Sequence, residues 1–540
     1  MTRRMLWLLV GVALAALVLA ATGSARLSSK VSSNAKTLVF VAEQGGGPDW
    51  CLNVLLVDCS SAWNAWFETP VIRGAFLLTP DARERPDLIS HYTLRFRPMR
   101  VTYYIRKRAR WSDGVPVTGR DWRFTWQTVI DKKNEPDIIE LGWTEIRSVS
   151  GDGKVVTVTF KRNYAPWKTL FGFVLPEHVL AGADIVKVWN DCICNPKTNT
   201  PISDGPFLLS RYDRGSGITL TKNREGWFGR PAKLDSIVFR FISDSSSEIA
   251  AIRAGEVDAA YPQPQLALAD LRHQPGLKVV SHLGFSLEYI SMQEKKPFLG
   301  LKWVRQALIS SLDRGGAARA LFGTLTSNTK PLNSLSRLSN EPGYDPKHFS
   351  KWTYSPARVE KTMLAHGCSK GSDGIFRCSG TRMSFELGST SGNRLRELAF
   401  VIFQAQAARA GIELTNGFKP PGTFFDSLRS KNYELAMAGY AGLTLDPHYL
   451  VEIFSCDPTV SRTYYCNHKV DRLLAQSDYE LNEAKRLALI NRAGAILGDD
   501  VPMIPLFQRP TFLVYRTSVH GMLDNPAQGP TFNAENWSKG

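Results

Sequence analysis

Residues 393–414 read NRLRELAFVIFQAQAARAGIEL, and this stretch decides the class of the fold. Asn393 is a residue type that caps a helix by accepting from a free backbone N–H. Leu395, Leu398 and Ile402 then recur at helical spacing and form the expected core face. Gly411 ends the helix, and Ile412 to Leu414 reads at once as a strand. The alternation continues outward. Upstream, Leu301, Val304, Leu308 and Leu312 mark an amphipathic helix, and Ser355-Pro356 opens another that Gly367 closes. Downstream, Tyr433 to Gly439 reads as a strand, Asn482 to Leu497 as a helix, and Met503–Phe507 and Thr511–Tyr515 as two strands. Helices alternating with strands predict an α/β fold.

The first half adds further strands. Lys36 to Ala42 reads as one, followed by a Gly45-Gly46-Gly47-Pro48 turn. Val101, Tyr103 and Ile105, and later Val156, Val158 and Phe160, alternate with polar neighbours. Between them Thr118 and Asp121 form a capping box that opens a helix carrying Trp122 and Trp126. Ile237, Phe239 and Phe241 read as a strand, and the helix after Glu248 stops at Gly255.

The chain has 540 residues, enough for roughly three to four domain-sized units. Its 43% apolar and 21% charged residues exclude long-range disorder. It carries 66 basic and 50 acidic residues, net +16, yet no run of five or more cations, so a nucleic-acid partner is not expected. Acidic cell-surface polymers and anionic lipid fit the charge better.

Arg3 and Arg4 precede an apolar run from Met5 to Ala21, then small residues. This is the pattern of a secretory signal over 1–25, cut after Ala25, with Ala21 and Gly23 as alternatives. An uncleaved membrane anchor is the competing reading. No Cys lies near the cut, so a lipid-anchored form is not expected. No second apolar stretch of spanning length follows.

The eight cysteines come in close pairs, Cys51/Cys59, Cys192/Cys194, Cys368/Cys378 and Cys456/Cys466. In an exported chain an even count suggests disulfides, and local pairing is the economical choice among the connectivities. Cys192 and Cys194, with one residue between them, make the tightest ring. A metal site is not expected, because there is no second C-x-C, no C-x-x-C and no His at ligand spacing.

Catalytic motifs are absent. Gly388-Ser389-Thr390-Ser391-Gly392 puts Thr where a nucleophile elbow needs Ser, and no phosphate loop, zinc-protease or dinucleotide motif occurs. A large exported α/β chain without visible chemistry is expected to be a binder that needs no cofactor. An extracellular hydrolase is the rival.

Several segments resemble the peptide/nickel-type solute-binding proteins of ABC importers. Trp111-Ser112-Asp113-Gly114 with Val117 to Asp121 is similar to that family's W-S-D-G stretch. Gly205-Pro206-Phe207 with Asn223 and Trp227, Ala254-Gly255-Glu256-Val257-Asp258, Val304-Arg305-Gln306-Ala307-Leu308 with Asp313-Arg314, and Gly439-Tyr440 with Asp446-Pro447 and Phe454-Ser455-Cys456 follow in family order. Taken singly, most of these are turns, caps and core residues that shape the fold and do not touch ligand.

The resemblance implies a two-lobed periplasmic-binding-protein-like fold with an extra subdomain in the first lobe. Lobe I would comprise 26–66, 200–270 and 500–540, the inserted subdomain 67–199, and lobe II 271–499. It implies ligand contact by Glu43 and Gln44 after the first strand and by the aromatic face of Tyr440. Leu443 stands where peptide binders place an Asp for the ligand's ammonium, with Asp446 nearby. Thr390 and Ser391 fall where dipeptide binders carry an Arg for the carboxylate. Cys456 and Cys466 fall where some relatives have a disulfide. The implied partners are a peptide-like solute and the ABC permease membrane subunits, with the binding protein a monomer. Leu443 suits a longer peptide, an N-blocked peptide or a non-peptide solute such as an oligosaccharide, and a sensory role on the same fold is the further alternative.

Overall fold

The computed structural model describes residues 36–43, 50–56, 59, 62–134, 142–225, 227–327, 330–441, 446–458, 461 and 463–540. The expected export segment, the Gly45–Pro48 turn, Gln44 and Leu443 lie outside the described residues.

Ten strands form one mixed sheet. Their spatial order is Glu413–Lys419, Ser384–Thr390, Leu435–Ala441, Leu277–Met292, Met503–Arg516, Ala259–Ala260, Thr37–Ala42, Ser236–Phe241, Gly217–Lys222 and Phe207–Asp213. Ser384–Thr390 and Glu413–Lys419 run parallel, so a crossover must join them, and the helix Arg394–Arg409 is that crossover. Asn393 caps it, accepting from Arg396 N at 3.2 Å. The buried stripe differs from expectation. It is Leu395, Arg396, Ala399, Phe400, Phe403 and Ala407, while Leu398 and Ile402 are half-buried. The helix is turned so that the Arg396 side chain points inward, toward a buried carboxylate.

Leu277–Met292 and Met503–Arg516 are the spine shared by two lobes. They pair antiparallel from Leu277/Arg516 to Ser291/Met503, with register shifts between Leu283 and Leu287 and between Glu288 and Tyr289. Met503–Arg516 is one strand of 14 residues, not the two shorter strands expected. Pro510 lies opposite Leu283, at the edge of the first shift, where a missing N–H interrupts the ladder without ending the strand. Gly284 sits in that shift. A Cβ there would stand 2.5 Å from the Arg509 carbonyl oxygen, so glycine permits the close approach of the two strands.

Two large hydrophobic cores flank this spine. One gathers Phe285, Leu287, Val304, Leu308, Phe400, Phe403 and Leu497. The other gathers Phe40, Phe67, Trp111, Trp122, Phe239 and Trp537. Phe40 stacks on Trp537 with centroids 5.9 Å apart, so the end of the chain closes over its first strand. The inserted subdomain has its own antiparallel sheet, ordered Ile89–Arg95, Arg100–Ile105, Val155–Phe160, Ile146–Ser150. The helix Gly119–Val129 accompanies it, with Asp121 Oδ2 accepting from Thr118 N at 2.7 Å.

All four local disulfides are present, Cys51–Cys59, Cys192–Cys194, Cys368–Cys378 and Cys456–Cys466. Cys368 and Cys378 are direct cross-strand partners in a hairpin. Among the described residues no helix is long and apolar enough to cross a membrane.

Candidate ligand-binding site between the lobes

A chain of polar side chains crosses from one lobe to the other beside the bulged part of the spine. Glu43, at the end of the first strand, turns its carboxylate inward. It accepts from Gln263 N at 3.0 Å and Ser245 Oγ at 3.3 Å. Gln263 Oε1 accepts twice, from Arg509 Nη1 at 3.0 Å and from Asn393 Nδ2 at 2.8 Å. Arg509 also donates from Nε to Ser286 Oγ at 3.1 Å.

The chain continues into the second lobe. Arg396 Nε donates to Glu288 Oε1 at 2.6 Å, and its Nη1 donates to Thr390 Oγ1 at 3.0 Å. Arg509 Nη1 stands 4.0 Å from Glu288 Oε2, so one fully buried carboxylate lies between two guanidinium groups. A Cβ on Gly439 would come within 2.9 Å of Glu288 Oε2 and 3.2 Å of Arg396 Nη2, so a larger residue there would push on this ion pair. The next residue, Tyr440, is half-buried and stacks on Tyr449 with centroids 4.9 Å apart.

Burial governs the electrostatics. Burial, opposed by Glu288, holds the Arg509 guanidinium below its ordinary range. Burial, reinforced by Glu43, pushes the Glu248 carboxyl well above its own. Glu248 is 1% exposed, and so complete a burial favours its neutral carboxyl. A cavity of about 100 Å³ adjoins the network, lined by Trp63, Trp66, Tyr261, Phe285, Ser286 and Arg509 among others. That is the size of one side chain, not of a whole ligand. Trp66 meets Tyr261 edge-to-face at 5.4 Å and forms one wall.

The site residues expected from the sequence divide into three groups. Glu43 and Thr390 are members of the polar chain, and Tyr440 borders it. Ser391 is exposed just beyond Thr390, its N–H donating to Lys419 O at 2.8 Å. Gln44 and Leu443 lie outside the described residues. Asp446 belongs to a different network. Both its oxygens accept from Arg486, at 2.7 and 2.5 Å. Burial works against the charge of Asp446, but Arg486 outweighs it and holds the carboxyl below its ordinary range. Next to it His448 Nδ1 lies 2.6 Å from Asp478 Oδ2, and His448 Nε2 lies 3.1 Å from the hydroxyl of Tyr164, in the inserted subdomain.

Gln263, Glu288, Asn393 as a bridging side chain, Arg396 and Arg509 were not singled out by sequence. Only Arg396 had a local signal, its place in the stripe 396, 399, 403, 407 of a core-facing helix. Ser286 Oγ is held by Arg509, and Ser389 Oγ donates to Met437 O at 2.8 Å, so neither hydroxyl faces a base. Among the described residues, Cys456, Cys466 and His468 are the one cluster of metal-ligand types, and both sulfurs are spent in a disulfide. The arrangement sets hydrogen-bonding groups and aromatic faces side by side.

The chain is similar to known proteins in sequence and in fold. Residues 85–461 match the model for bacterial extracellular solute-binding proteins, family 5 Middle. The oligopeptide-binding protein OppA of Mycobacterium tuberculosis (strain ATCC 25618 / H37Rv) is 25% identical over 481 residues, covering 86% of this chain and 79% of that protein. Among solved structures, the oligopeptide-binding protein AppA from Bacillus subtilis, in complex with a nonapeptide, superimposes with a TM-score of 0.82 at 19% identity, covering 93% of this chain and 99% of that one. A periplasmic EDTA-binding protein, EppA, gives a TM-score of 0.82 at 24% identity over 93% of this chain and 96% of that one.

Proposed function

The chain belongs to family 5 of the bacterial extracellular solute-binding proteins, and from that premise we propose that it encloses a peptide-like solute between its lobes and delivers it to the permease of an ABC importer. One observation carries this reading. Gln263 touches Glu43 of the first strand, Arg509 of the spine and Asn393 of the second lobe at once. One residue, by its backbone N–H and its side-chain oxygen, thus joins both walls of the cleft where they converge, which is where closure would register a ligand. The donors and acceptors there are of mixed type, as an amide backbone requires, and Tyr440 and Trp66 supply aromatic faces. The relatives named as oligopeptide-binding support a peptide over a sugar.

On this reading solute contacts come from Tyr440, Gln263, Asn393 and Arg509, with Glu43, Gln44, Thr390, Ser391 and Leu443 around them. Asp446 is saturated by Arg486 and acts at one remove, on the placement of its own turn. The lobes divide as 26–66, 200–270 and 500–540 against 271–499, with 67–199 inserted. The protein is exported, works as a monomer and carries out no reaction. Calorimetric titration with tri- to nonapeptides tests the solute class. One-to-one binding with a negative heat-capacity change supports it. Heat from oligosaccharides but from no peptide would reassign the solute.

A further inference from the structure

One end of the inserted subdomain's sheet is basic and unpaired. Arg95 and Arg100 are direct cross-strand partners, like charges set opposite one another at a cost in stability. Arg97 lies in the turn between them. Arg147 and Lys161 come from the ends of the adjoining strands, where Arg100 pairs with Thr159 and Ile146 with Phe160. All five are exposed, and none forms an ion pair among the described residues. The contact within the group is Arg147 Nη2 donating to Lys161 O at 3.4 Å. Arg162, next in sequence, is paired with Glu145 at 2.9 Å, so this end of the sheet forms ion pairs where an acid is supplied. In the same turn Phe96, next to Arg95, is 53% exposed, and Pro98 is exposed as well.

Clustered cations attract an anionic lipid surface, and an exposed aromatic ring favours the zone between headgroups and acyl chains. We propose that this Phe96-tipped basic end docks on an anionic phospholipid bilayer, with the ring in the interface and the five cations over the headgroups. A soluble polyanion would use the charges but leave Phe96 without a role, so the bilayer is the better fit. Solute binding in the cleft does not depend on this surface.

The test uses vesicles of phosphatidylcholine with or without about 30% phosphatidylglycerol, in a range where roughly 0.1 M salt screens beyond about 10 Å. The same full chain is used in every arm, so any contribution of its N-terminus, with Arg3 and Arg4, is common to the parent and the variants. The expected result is sedimentation with the anionic vesicles that weakens as salt rises. The triple change Arg95→Ser, Arg97→Ser, Arg100→Ser should reduce partitioning by about a hundredfold, from roughly fivefold per cation. Phe96→Ser should reduce it at every salt concentration. Lys107→Ser with Arg108→Ser, at the other end of the same strand, should leave it unchanged. The proposal is overturned if partitioning is equal for both vesicle types, if the triple variant matches the parent, or if only soluble dextran sulfate binds.

Discussion

Gln263 and Asn393 meet across the cleft, Asn393 Nδ2 donating to Gln263 Oε1 at 2.8 Å. On the proposed division into lobes each belongs to a different wall, so their contact would exist only while the walls are together. Gln263→Ala should weaken binding of the tightest peptide by about two- to tenfold, the worth of one net hydrogen bond. Asn393→Ala should add little to it. A double-mutant cycle on affinity checks this, and strictly additive losses would show that the two residues act separately.

Glu288 shows no exposed side-chain surface and depends on Arg396 for its nearest hydrogen bond. Arg396→Ala leaves that carboxylate with Arg509 at 4.0 Å alone. The expected cost is about 3–5 kcal/mol in urea unfolding, with much of it recovered when Glu288→Met accompanies Arg396→Met. A loss near zero for the single change would mean that water reaches the cluster.

The carboxyl of Glu248 is held above its ordinary value by burial and then by Glu43. Its native form therefore keeps a proton that the unfolded chain releases, and stability falls as pH rises above about 4.5. Glu248→Gln removes this dependence. Unfolding at mildly acid and mildly alkaline pH should show the variant gaining on the parent as pH increases; a constant difference would place a charged Glu248 in the native protein.

His448 also loses its contribution as pH rises, but here burial opposes the shift instead of causing it. Burial disfavours its charge, but Asp478 at 2.6 Å outweighs that and raises its pKa above 6.5. The stabilisation is complete below the unfolded value and is lost as pH climbs through the folded one. His448→Gln should flatten the stability profile from about pH 6 upward. Because His448 also meets the Tyr164 hydroxyl, the hydrogen exchange of the Tyr164 segment should follow the same titration.

Local patterns carried the class of the fold. The stretch 393–414 announced a helix and a strand because cap, period and terminator all lie within it, and the disulfides followed from proximity in the chain. The spine was less legible, since Pro510 interrupts the pattern of Met503–Arg516 and register shifts leave no mark in sequence. The site was least legible. Glu43, Gln263, Glu288, Arg396 and Arg509 are far apart in the chain and are gathered by topology alone. The family resemblance pointed to Glu43 and Thr390 in this polar chain and to Tyr440 beside it, but not to the Gln263 and Arg509 contacts that join them.

The most direct test of enclosure is native mass spectrometry of the purified protein, saturated with a peptide mixture and then denatured to release what it holds. The account predicts one peptide-like molecule per chain. It also predicts much lower occupancy in Tyr440→Ala, which loses an aromatic face worth about 0.5–1.5 kcal/mol beyond its area. A parent protein that retains nothing, or a Tyr440→Ala variant that retains the same molecule equally well, would contradict it.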